Sequence, residues 1–294
     1  MPDKRKLGIL GGDARQLVTA RCLSEEFECA VWGFDKVWGT ADEKYLADAV
    51  RCVDWESAVR GSDTVILPLP CTRDGVTLNT PLASGEYPVL LTEIVEKMGG
   101  RGLLCGGMLP SIIKRYAGEH GVTAADYYDS EELQIRNAVP TAEGAIAACI
   151  QTLPVTIAGM RAAVFGYGRV GRTLAQRLSA LGARVYTVAR SSTDRAWAEC
   201  DGCIPVPLHE YRENPVQTDA VFNTIPHRIF DADLLRKLDP STVLFELADG
   251  IDTGAAEGCG IRVVPLPSLP GKTSPVTAGA IICSAVREIL KNQK

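Results

Sequence analysis

Histidine is scarce in this sequence, and it has neither an excess of positive charge nor a long apolar run; each of these features disfavours a class of protein. Only 3 of the 294 residues are histidine, which disfavours enzymes that work through a histidine–carboxylate pair. The 31 lysines and arginines do not outnumber the 36 aspartates and glutamates, so nothing favours nucleic acid or a membrane surface as a partner. No run approaches the roughly 20 apolar residues of a membrane-spanning helix. We therefore expect a cytoplasmic protein with neither kind of partner.

Cysteine, by contrast, is frequent, with 10 residues scattered along the chain. Cys200 and Cys203 have C-x2-C spacing and His209 follows them, but a structural zinc site needs a second such pair, which the sequence lacks. Because we expect no signal peptide, scattered cysteines favour free buried thiols. The sequence therefore predicts no metal, with Cys200 closing a helix and Cys203 opening a short strand.

Apolar, β-branched runs alternate with amphipathic segments through nearly the whole chain. Such alternation predicts parallel sheets covered by helices on both faces. A strand, a glycine turn and a helix begin twice, near residues 7 and 161, so we expect an α/β fold of two doubly wound, Rossmann-like domains with a cleft between them. The predicted strands are 7–11, 29–34, 63–67, 102–105, 161–165, 184–189, 203–206, 219–223, 242–247 and 261–264, and the predicted helices include 14–26, 169–181 and 276–291.

The domain boundary is predicted near residues 137–160. Pro140, with Thr141 and Glu143 after it, is typical of a helix start, and Pro154 follows the expected end of that helix. We expect the last helix to pack back on the first domain, because a turn-rich run precedes it. The predicted division is a first domain over 1–138, a linking helix over 139–153, a second domain over 154–275 and a returning helix over 276–294.

The second glycine turn has the complete G-x-G-x-x-G pattern of a dinucleotide site. Gly166 allows the tight turn after the strand, Gly168 lets the backbone approach a pyrophosphate, and Gly171 lets the helix pack closely on the strand. The helix that follows offers free N–H groups and its positive dipole end to phosphates. A turn with no ligand is the alternative. The cofactor-binding residues predicted here are Gly166, Tyr167, Gly168, Arg169, Val170 and Gly171.

The end of the next strand indicates which dinucleotide is bound. An acidic residue there would bind the ribose hydroxyls of NAD, but this chain has Arg190, followed by Ser191 and Ser192. A guanidinium with neighbouring hydroxyl groups suits the dianionic 2′-phosphate of NADP. A solvated arginine beside a helix cap is the alternative. The sequence favours NADP as the cofactor.

A later strand ends in Asn223, Thr224 and Pro226, and ligands of doubly wound sheets bind at the carboxyl ends of the strands. We therefore expect these residues near the nicotinamide. His227, which follows, is a candidate acid or base, with a solvated or capping histidine as the alternative.

The first glycine turn departs from the dinucleotide pattern. Gly11 and Gly12 are adjacent, and Asp13 would bring a carboxylate against a pyrophosphate. Arg15, in the first turn of the helix, can grip a small carboxylate together with backbone N–H groups. This turn is thus expected to bind substrate and the second turn to bind cofactor. A simple helix cap at Asp13 with a solvated Arg15 is the alternative.

Five segments together resemble the dipicolinate synthase A subunits of spore-forming bacteria. They are GILGGDARQL near the start, AVPTAEG at 138–144, GYGRVG with ARSS, NTIP, and LPG with SPVTAG at 269–279. The resemblance covers essentially the whole chain, and GGDARQ and PTAEG are its most specific parts. The chain departs from the family after VLFELA, where Asp249-Gly250-Ile251-Asp252 stands in place of an expected Pro-Gly-Gly turn.

The resemblance implies NADP-dependent oxidation of dihydrodipicolinate, or of its hydrated precursor, to dipicolinate on a branch of the lysine pathway during sporulation. It also implies a flavoprotein-like B subunit as partner, and a homo-oligomer is expected on general grounds. Aromatisation makes the step downhill, so the protein mainly aligns the hydride donor and acceptor, with an acid assisting any loss of water. Two carboxylates on the substrate need two anion-binding features, for which the candidates are Gly12, Arg15, Thr141, Lys272, Thr273, Ser274 and Thr277, and the candidate catalytic residues are Asp13, Glu143 and His227.

Two other functions stay open at this point. One is an NADP-dependent dehydrogenase of another small hydroxy or amino acid, which the scarcity of histidine disfavours. The other is a non-catalytic NADP-binding sensor or scaffold, which would need only the second glycine turn. Turnover by the purified chain distinguishes them.

Overall fold

The computed structural model describes residues 5–46, 48–85 and 88–293. The chain forms two compact units: unit 1 combines Met1–Gln134 with Ser274–Lys294, and unit 2 is Ile135–Thr273. The last helix therefore belongs to the same unit as the first. In the described part of the chain, no helix is both long and apolar enough to cross a membrane.

Unit 1 is built on a six-stranded sheet in the order β3-β2-β1-β4-β5-β6, in which all neighbours are parallel. This order places the crossover between β1 and β4, where a doubly wound sheet binds its ligand. The strands are β1 Lys6–Leu10, β2 Glu28–Trp32, β3 Val50–Arg51, β4 Thr64–Ile66, β5 Leu103–Gly106 and β6 Thr123–Asp126. The helices are α1 Ala14–Ser24, α2 Trp55–Val59, α3 Leu91–Lys97, α4 Ser111–Glu119 and the start of α5 Glu131–Thr152, with short 3-10 turns between them.

Unit 2 repeats the plan with a parallel sheet in the order β12-β11-β10-β7-β8-β9. Its strands are β7 Arg161–Phe165, β8 Arg184–Ala189, β9 Ile204–Pro207, β10 Ala220–Asn223, β11 Val243–Glu246 and β12 Arg262–Pro265. Its helices are α6 Arg169–Ala180, α7 Ser192–Cys200, α8 Leu208–Glu213, α9 Ala232–Leu235, α10 Thr253–Gly258 and α11 Leu269–Thr273, after which α12 Pro275–Asn292 returns to unit 1.

The predicted fold class, two doubly wound α/β sheets, is confirmed. Each of the ten predicted strands is present to within one or two residues at either end. Two strands were not predicted. β3 is only Val50–Arg51 and both residues are exposed, and β6 has the sequence Thr-Ala-Ala-Asp, which is neither apolar nor β-branched enough to be recognised.

The predicted start of the linking helix is wrong. The helix begins at Glu131, so Pro140, Thr141 and Glu143 lie inside it. Ser130 marks the true start, since its hydroxyl accepts a hydrogen bond from the N–H of Leu133 at 3.3 Å. Thr141 does not cap the helix but donates to the carbonyl of Asn137 at 2.8 Å. Proline is costly in a helix interior, which is why the sequence rule favours a start there, but tertiary packing overrides it.

Each unit has its own core on both faces of its sheet. In unit 1, alternate residues of β1 face opposite sides, with Leu7 and Ile9 in one apolar cluster and Leu10 in the other. The returning helix α12 contributes Ile282 and Val286, both almost fully buried, to the cluster that contains Leu7. This burial explains why the chain returns to unit 1 after completing unit 2.

Candidate functional site

The three glycines of the second turn have distinct structural roles. Gly166 has a φ of +90°, and a Cβ there would lie 2.8 Å from the hydroxyl of Thr224. A Cβ on Gly171 would lie 2.2 Å from the carbonyl oxygen of Gly166, so only glycine lets α6 pack on this turn. A Cβ on Gly168 would meet no atom within 4 Å, which leaves open space beside the backbone at the N-terminus of α6. The turn therefore fits a dinucleotide pyrophosphate, which needs this approach to the main chain.

A partly buried side-chain network holds this turn in place. The hydroxyl of Tyr167, whose residue is only 6% exposed, donates to Asp201 at 2.7 Å, and Arg172 donates to the same carboxylate at 2.8 Å. The Arg172 guanidinium also lies 4.7 Å from the ring centre of Trp197. The hydrogen bonds from Tyr167 and then Arg172 lower the pKa of Asp201, while burial raises that of Tyr167. The side chain of Tyr167 thus anchors the turn, and its backbone remains available to a ligand.

Two guanidinium groups lie at the carboxyl end of β8. Arg190 and Ser191 are exposed, and the Ser191 hydroxyl caps α7 by accepting a hydrogen bond from the N–H of Asp194 at 3.3 Å. Arg195 was not predicted; its Nη1 donates to the carbonyl oxygens of Arg190 at 2.7 Å and Ala189 at 3.2 Å. The two charges concentrate positive potential at this strand end. The position of Arg195 in the first turn of the helix after the serines was the available signal.

A buried amide–carboxylate pair joins the ends of β10 and β11. The amide nitrogen of Asn223 donates to both carboxylate oxygens of Glu246, at 3.1 and 3.0 Å, and Asn223 accepts from the N–H of Ile225. Glu246 is 4% exposed and was not predicted, although an acid at a strand end was visible in the sequence. The pair fixes the loop that carries Thr224, whose hydroxyl donates to the carbonyl of Phe165 at 2.7 Å. Farther along this loop, Pro226 and His227 are exposed.

The unexpected loop after β11 closes against the loop after β10. A Cβ on Gly250 would lie 2.6 Å from the carbonyl oxygen of Ile225 and 2.7 Å from that of His227. The preceding residue, Asp249, has a left-handed φ of +56°. The Asp-Gly sequence therefore makes a tight closure that depends on Gly250 at this edge of the sheet.

The PTAEG segment on α5 packs against α11. A Cβ on Gly144 would lie 3.0 Å from the hydroxyl oxygen of Thr273, so glycine is what lets the two helices approach. Glu143 has its side chain 57% exposed and forms an ion pair with Arg177 at 3.4 Å. Lys272 is exposed. Thus the predicted residues Thr141, Glu143, Lys272 and Thr273 belong to unit 2, whereas Ser274 and Thr277 belong to unit 1.

The first glycine turn carries an ion pair at the N-terminus of α1. Asp13 caps the helix by accepting from the N–H of Arg15 at 3.0 Å. The Arg15 side chain returns to the same carboxylate, with Nε 2.9 Å from Oδ1 and Nη2 2.8 Å from Oδ2, and Nη2 also donates to the carbonyl of Leu69. The Arg15 side chain is 6% exposed and that of Asp13 is 30% exposed. Of the two charges, it is the carboxylate that faces solvent.

A buried acceptor lies next to this ion pair. Gln16 is 2% exposed, and in the described part of the chain its Oε1 has no hydrogen-bond partner. A Cβ on Gly12 would lie 2.7 Å from the Cβ of Gln16 and 2.8 Å from that of Pro68, so the turn also depends on glycine. Most buried acceptors in folded proteins have a donor, so this oxygen is available to a water molecule or to a ligand group. The turn therefore combines a carboxylate, a guanidinium and an unused acceptor.

These features define a class. A doubly wound parallel sheet with a G-x-G-x-x-G turn is typical of domains that bind a nicotinamide dinucleotide. Residues 136–253 match the family model described as the NAD-binding domain of D-isomer specific 2-hydroxyacid dehydrogenases. In the described ranges, no group of three or more His, Cys, Asp and Glu side chains is arranged to hold a metal ion.

The comparisons then identify the family. Residues 6–128 match the model of the N-terminal domain of the dipicolinate synthase A subunit. The dipicolinate synthase A subunit of Bacillus subtilis is 32% identical over 97% of this chain and 95% of its own length. The crystal structure of the Bacillus halodurans protein of that name has a TM-score of 0.84 at 29% identity, covering 99% of each chain. The crystal structure of the A chain of B. subtilis dipicolinate synthase has a TM-score of 0.83, also at 29% identity, and the match covers 99% of this chain and 97% of that chain. The chain belongs to the family of dipicolinate synthase A subunits.

Proposed function

We propose that this chain is an NADP-dependent oxidoreductase that forms dipicolinate by aromatising dihydrodipicolinate or its hydrated precursor. The observation that carries the proposal is the division of chemistry between two glycine turns. The turn at Gly166 fits a pyrophosphate, and the turn at Gly12 presents the Asp13–Arg15 pair instead. A non-catalytic dinucleotide-binding protein would not need the second set of groups.

The preference for NADP rests on the end of β8. Arg190 is exposed there, and Arg195 is anchored on the carbonyl of Arg190 at 2.7 Å. Two guanidinium groups with the hydroxyls of Ser191 and Ser192 suit a dianionic phosphate, and no acid follows the strand directly. A free ribose hydroxyl would leave these charges without a partner, so we expect NAD to bind more weakly.

Substrate is proposed to bind at the first turn, where Arg15 acts together with Asp13. Because the Arg15 guanidinium already holds Asp13 through two nitrogens, its main effect is to fix the orientation of that carboxylate. The backbone of Gly12 and the buried Oε1 of Gln16 offer further polar groups beside it. The segment that contains Lys272, Thr273, Ser274 and Thr277, with Thr141, is the proposed source of contacts to the other substrate carboxylate.

The chain's residues are proposed to align the substrate and to move one proton. When bound, the nicotinamide accepts the hydride that leaves the substrate ring. Asp13 Oδ2 is the proposed proton acceptor, since its side chain is 30% exposed in the turn proposed for substrate and Arg15 fixes its orientation. Glu143 is less suited, because it lies on α5 of unit 2 and not in the turn proposed for substrate. His227 is proposed to assist proton movement near the nicotinamide.

A partner protein is part of the proposal. Because the relatives are named as the A subunit of dipicolinate synthase, we propose that this chain works with a flavoprotein-like B subunit in sporulating cells. The substrate is a small dicarboxylate, and a homo-oligomer is proposed on general grounds.

An absorbance assay tests the reaction. The fresh condensation product of pyruvate and aspartate semialdehyde is mixed with the purified chain and NADP⁺ or NAD⁺, and reduced nicotinamide and an aromatic pyridine are followed together. Equal amounts of both products with NADP⁺ support the proposal. If neither product appears, the assay is repeated with the flavoprotein-like partner. The absence of both products in that assay as well contradicts the proposed substrate.

Cofactor choice has its own test at Arg190. In Arg190→Ala the dissociation constant of NADP⁺ is expected to rise at least about tenfold, because a charge-assisted phosphate contact is lost, while that of NAD⁺ changes little. Arg262→Ala is the matched control, since that exposed arginine begins β12 at the opposite edge of the same sheet. Equal losses for both dinucleotides in Arg190→Ala contradict the assignment of NADP.

A further inference from the structure

The first and last helices of the chain approach each other closely within unit 1. A Cβ on Gly279 of α12 would lie 2.5 Å from the carbonyl oxygen of Arg15 and 2.6 Å from the Cβ of Val18 on α1. The hydroxyl of Thr19 donates to the carbonyl of Gly279 at 3.1 Å. Glycine at this position therefore lets two backbones come almost into contact.

The register of the two helices places two cysteines level with each other. Cys22 follows Thr19 by about one turn of α1, and Cys283 follows Gly279 by about one turn of α12. One further turn along, Arg287 donates to the carbonyl of Cys22 at 2.7 Å and pairs with Glu26 at 2.7 Å. Cys22 and Cys283 are thus enclosed by contacts on both sides, in a parallel helix pair with fixed register.

The two thiols differ in access. Cys22 is partly exposed, whereas Cys283 is 1% exposed. The pKa of Cys283 is raised to about 12, because burial raises it most, the Cys22 thiol also raises it, and the nearby Arg287 lowers it only in part. In the described part of the chain, the buried Nε of Arg287 has no hydrogen-bond partner, and the charge of Arg287 favours the ionised form of Cys283.

We propose that Cys22, Cys283 and Arg287 form an oxidative modification site, at which a low-molecular-weight disulfide converts the two thiols into a disulfide between α1 and α12. The thiolate of Cys22, the accessible one, attacks a sulfur of the small disulfide, breaking its S–S bond and releasing one thiolate. The thiolate of Cys283 then attacks the Cys22 sulfur and displaces the second small thiolate. Two protein thiols are oxidised, one small disulfide is reduced, and the two thiol protons pass to the released thiolates.

The fold gives this bond a definite consequence. The two cysteines lie near opposite ends of the sequence, yet both side chains pack on the same apolar cluster of unit 1. A disulfide there would tie the returning helix to the rest of its unit and would restrict the unfolded chain over nearly its whole length. The site is independent of the proposed dehydrogenase chemistry.

Peptide mapping tests the proposal on the full chain. The reduced protein is incubated with oxidised glutathione, alkylated and digested, and the linked peptides are identified by mass spectrometry. We expect the Cys22–Cys283 peptide pair to be the first linked product, with a mass loss of two hydrogens and a higher melting temperature that a reductant reverses. Cys22→Ala and Cys283→Ala should each abolish it, and Cys200→Ala, which removes an exposed thiol, should not.

A substitution at Arg287 gives a second test of the proposal, in which both cysteines are kept. Arg287→Met keeps an apolar stem but removes the donor, so disulfide formation should slow severalfold while the melting curve of the reduced protein stays cooperative. The proposal is overturned if glutathione stays attached to Cys22 without transfer to Cys283, or if other pairs link first.

Discussion

At the scale of single residues, the ion pair between Asp13 and Arg15 changes what the first turn can be expected to bind. The sequence favours Arg15 as a direct clamp for a substrate carboxylate. Its guanidinium instead holds Asp13 through two nitrogens and is almost fully buried. Asp13 is therefore the more exposed of the two charged groups, and it also caps α1.

Asp13→Asn tests the role of that carboxylate. Asparagine also caps helices, so the fold should persist, while loss of the proton acceptor should lower kcat about 100-fold. The dissociation constant of NADP⁺ should not change, because the dinucleotide is assigned to the other unit. Asp54→Asn is the matched control, an N-cap aspartate on α2 whose side chain accepts from Ser57. Full turnover in Asp13→Asn contradicts the proposed role.

The Asp201 carboxylate makes the stability of the protein around the second glycine turn depend on pH. Hydrogen bonds from Tyr167 and Arg172 lower the pKa of Asp201, so its stabilising effect is present above the ordinary aspartate pKa and is lost as the pH falls below it. Asp201→Asn should therefore lower the melting temperature at pH 7, and the difference from the wild type should shrink towards pH 3. Asp233→Asn, which removes an exposed partner of Arg236, is the control. A difference that is constant with pH contradicts this role of the Asp201 carboxylate.

At the scale of elements, the glycine turn of unit 2 separates a packing role from a binding role. Gly171→Ala should destabilise the protein by about 1–3 kcal/mol, because the new Cβ would meet the Gly166 carbonyl at 2.2 Å. Gly168→Ala should leave stability nearly unchanged, since its Cβ enters open space, but should weaken dinucleotide binding strongly. Denaturant unfolding and calorimetric titration measure the two effects. The assignment of the dinucleotide to this turn fails if Gly168→Ala binds NADP⁺ normally.

Most of the elements of this fold could be predicted, because hydrophobic period and turn residues are local signals. The strands that precede both glycine turns and the helices that follow them lie within two residues of their predicted bounds. The predicted start of α5 was wrong because proline in a sequence strongly favours the first turn of a helix. The packing that keeps Pro140 inside the helix involves residues distant in sequence. β3 was not predicted, because it has only two residues, both exposed, and so shows no alternation of apolar and polar residues.

The site was less predictable because its groups are completed by partners distant in sequence. Gly166, Gly168 and Gly171 could be assigned roles from spacing alone. The Asn223–Glu246 pair and the Tyr167–Asp201 bond join different elements, and no spacing rule predicts them. A resemblance to a family indicates which residues matter, but not which side chain each one contacts.

At the scale of the whole molecule, the chain is two units of the same architecture with different chemistry at their glycine turns. Unit 2, Ile135–Thr273, is continuous in sequence and has apolar clusters on both faces of its sheet. Unit 1 is completed only when α12 returns and buries Ile282 and Val286. The assignment of cofactor to unit 2 therefore makes a prediction about a fragment.

The measurement that tests this assignment most directly is a calorimetric titration of NADP⁺ into the whole chain and into fragment 131–273, which starts at the observed N-terminus of α5. Circular dichroism and a cooperative melting curve first establish that the fragment is folded. We predict one site per fragment, with an affinity close to that of the whole chain. A folded fragment that binds no NADP⁺, while the whole chain binds it, would contradict the division of function between the two turns.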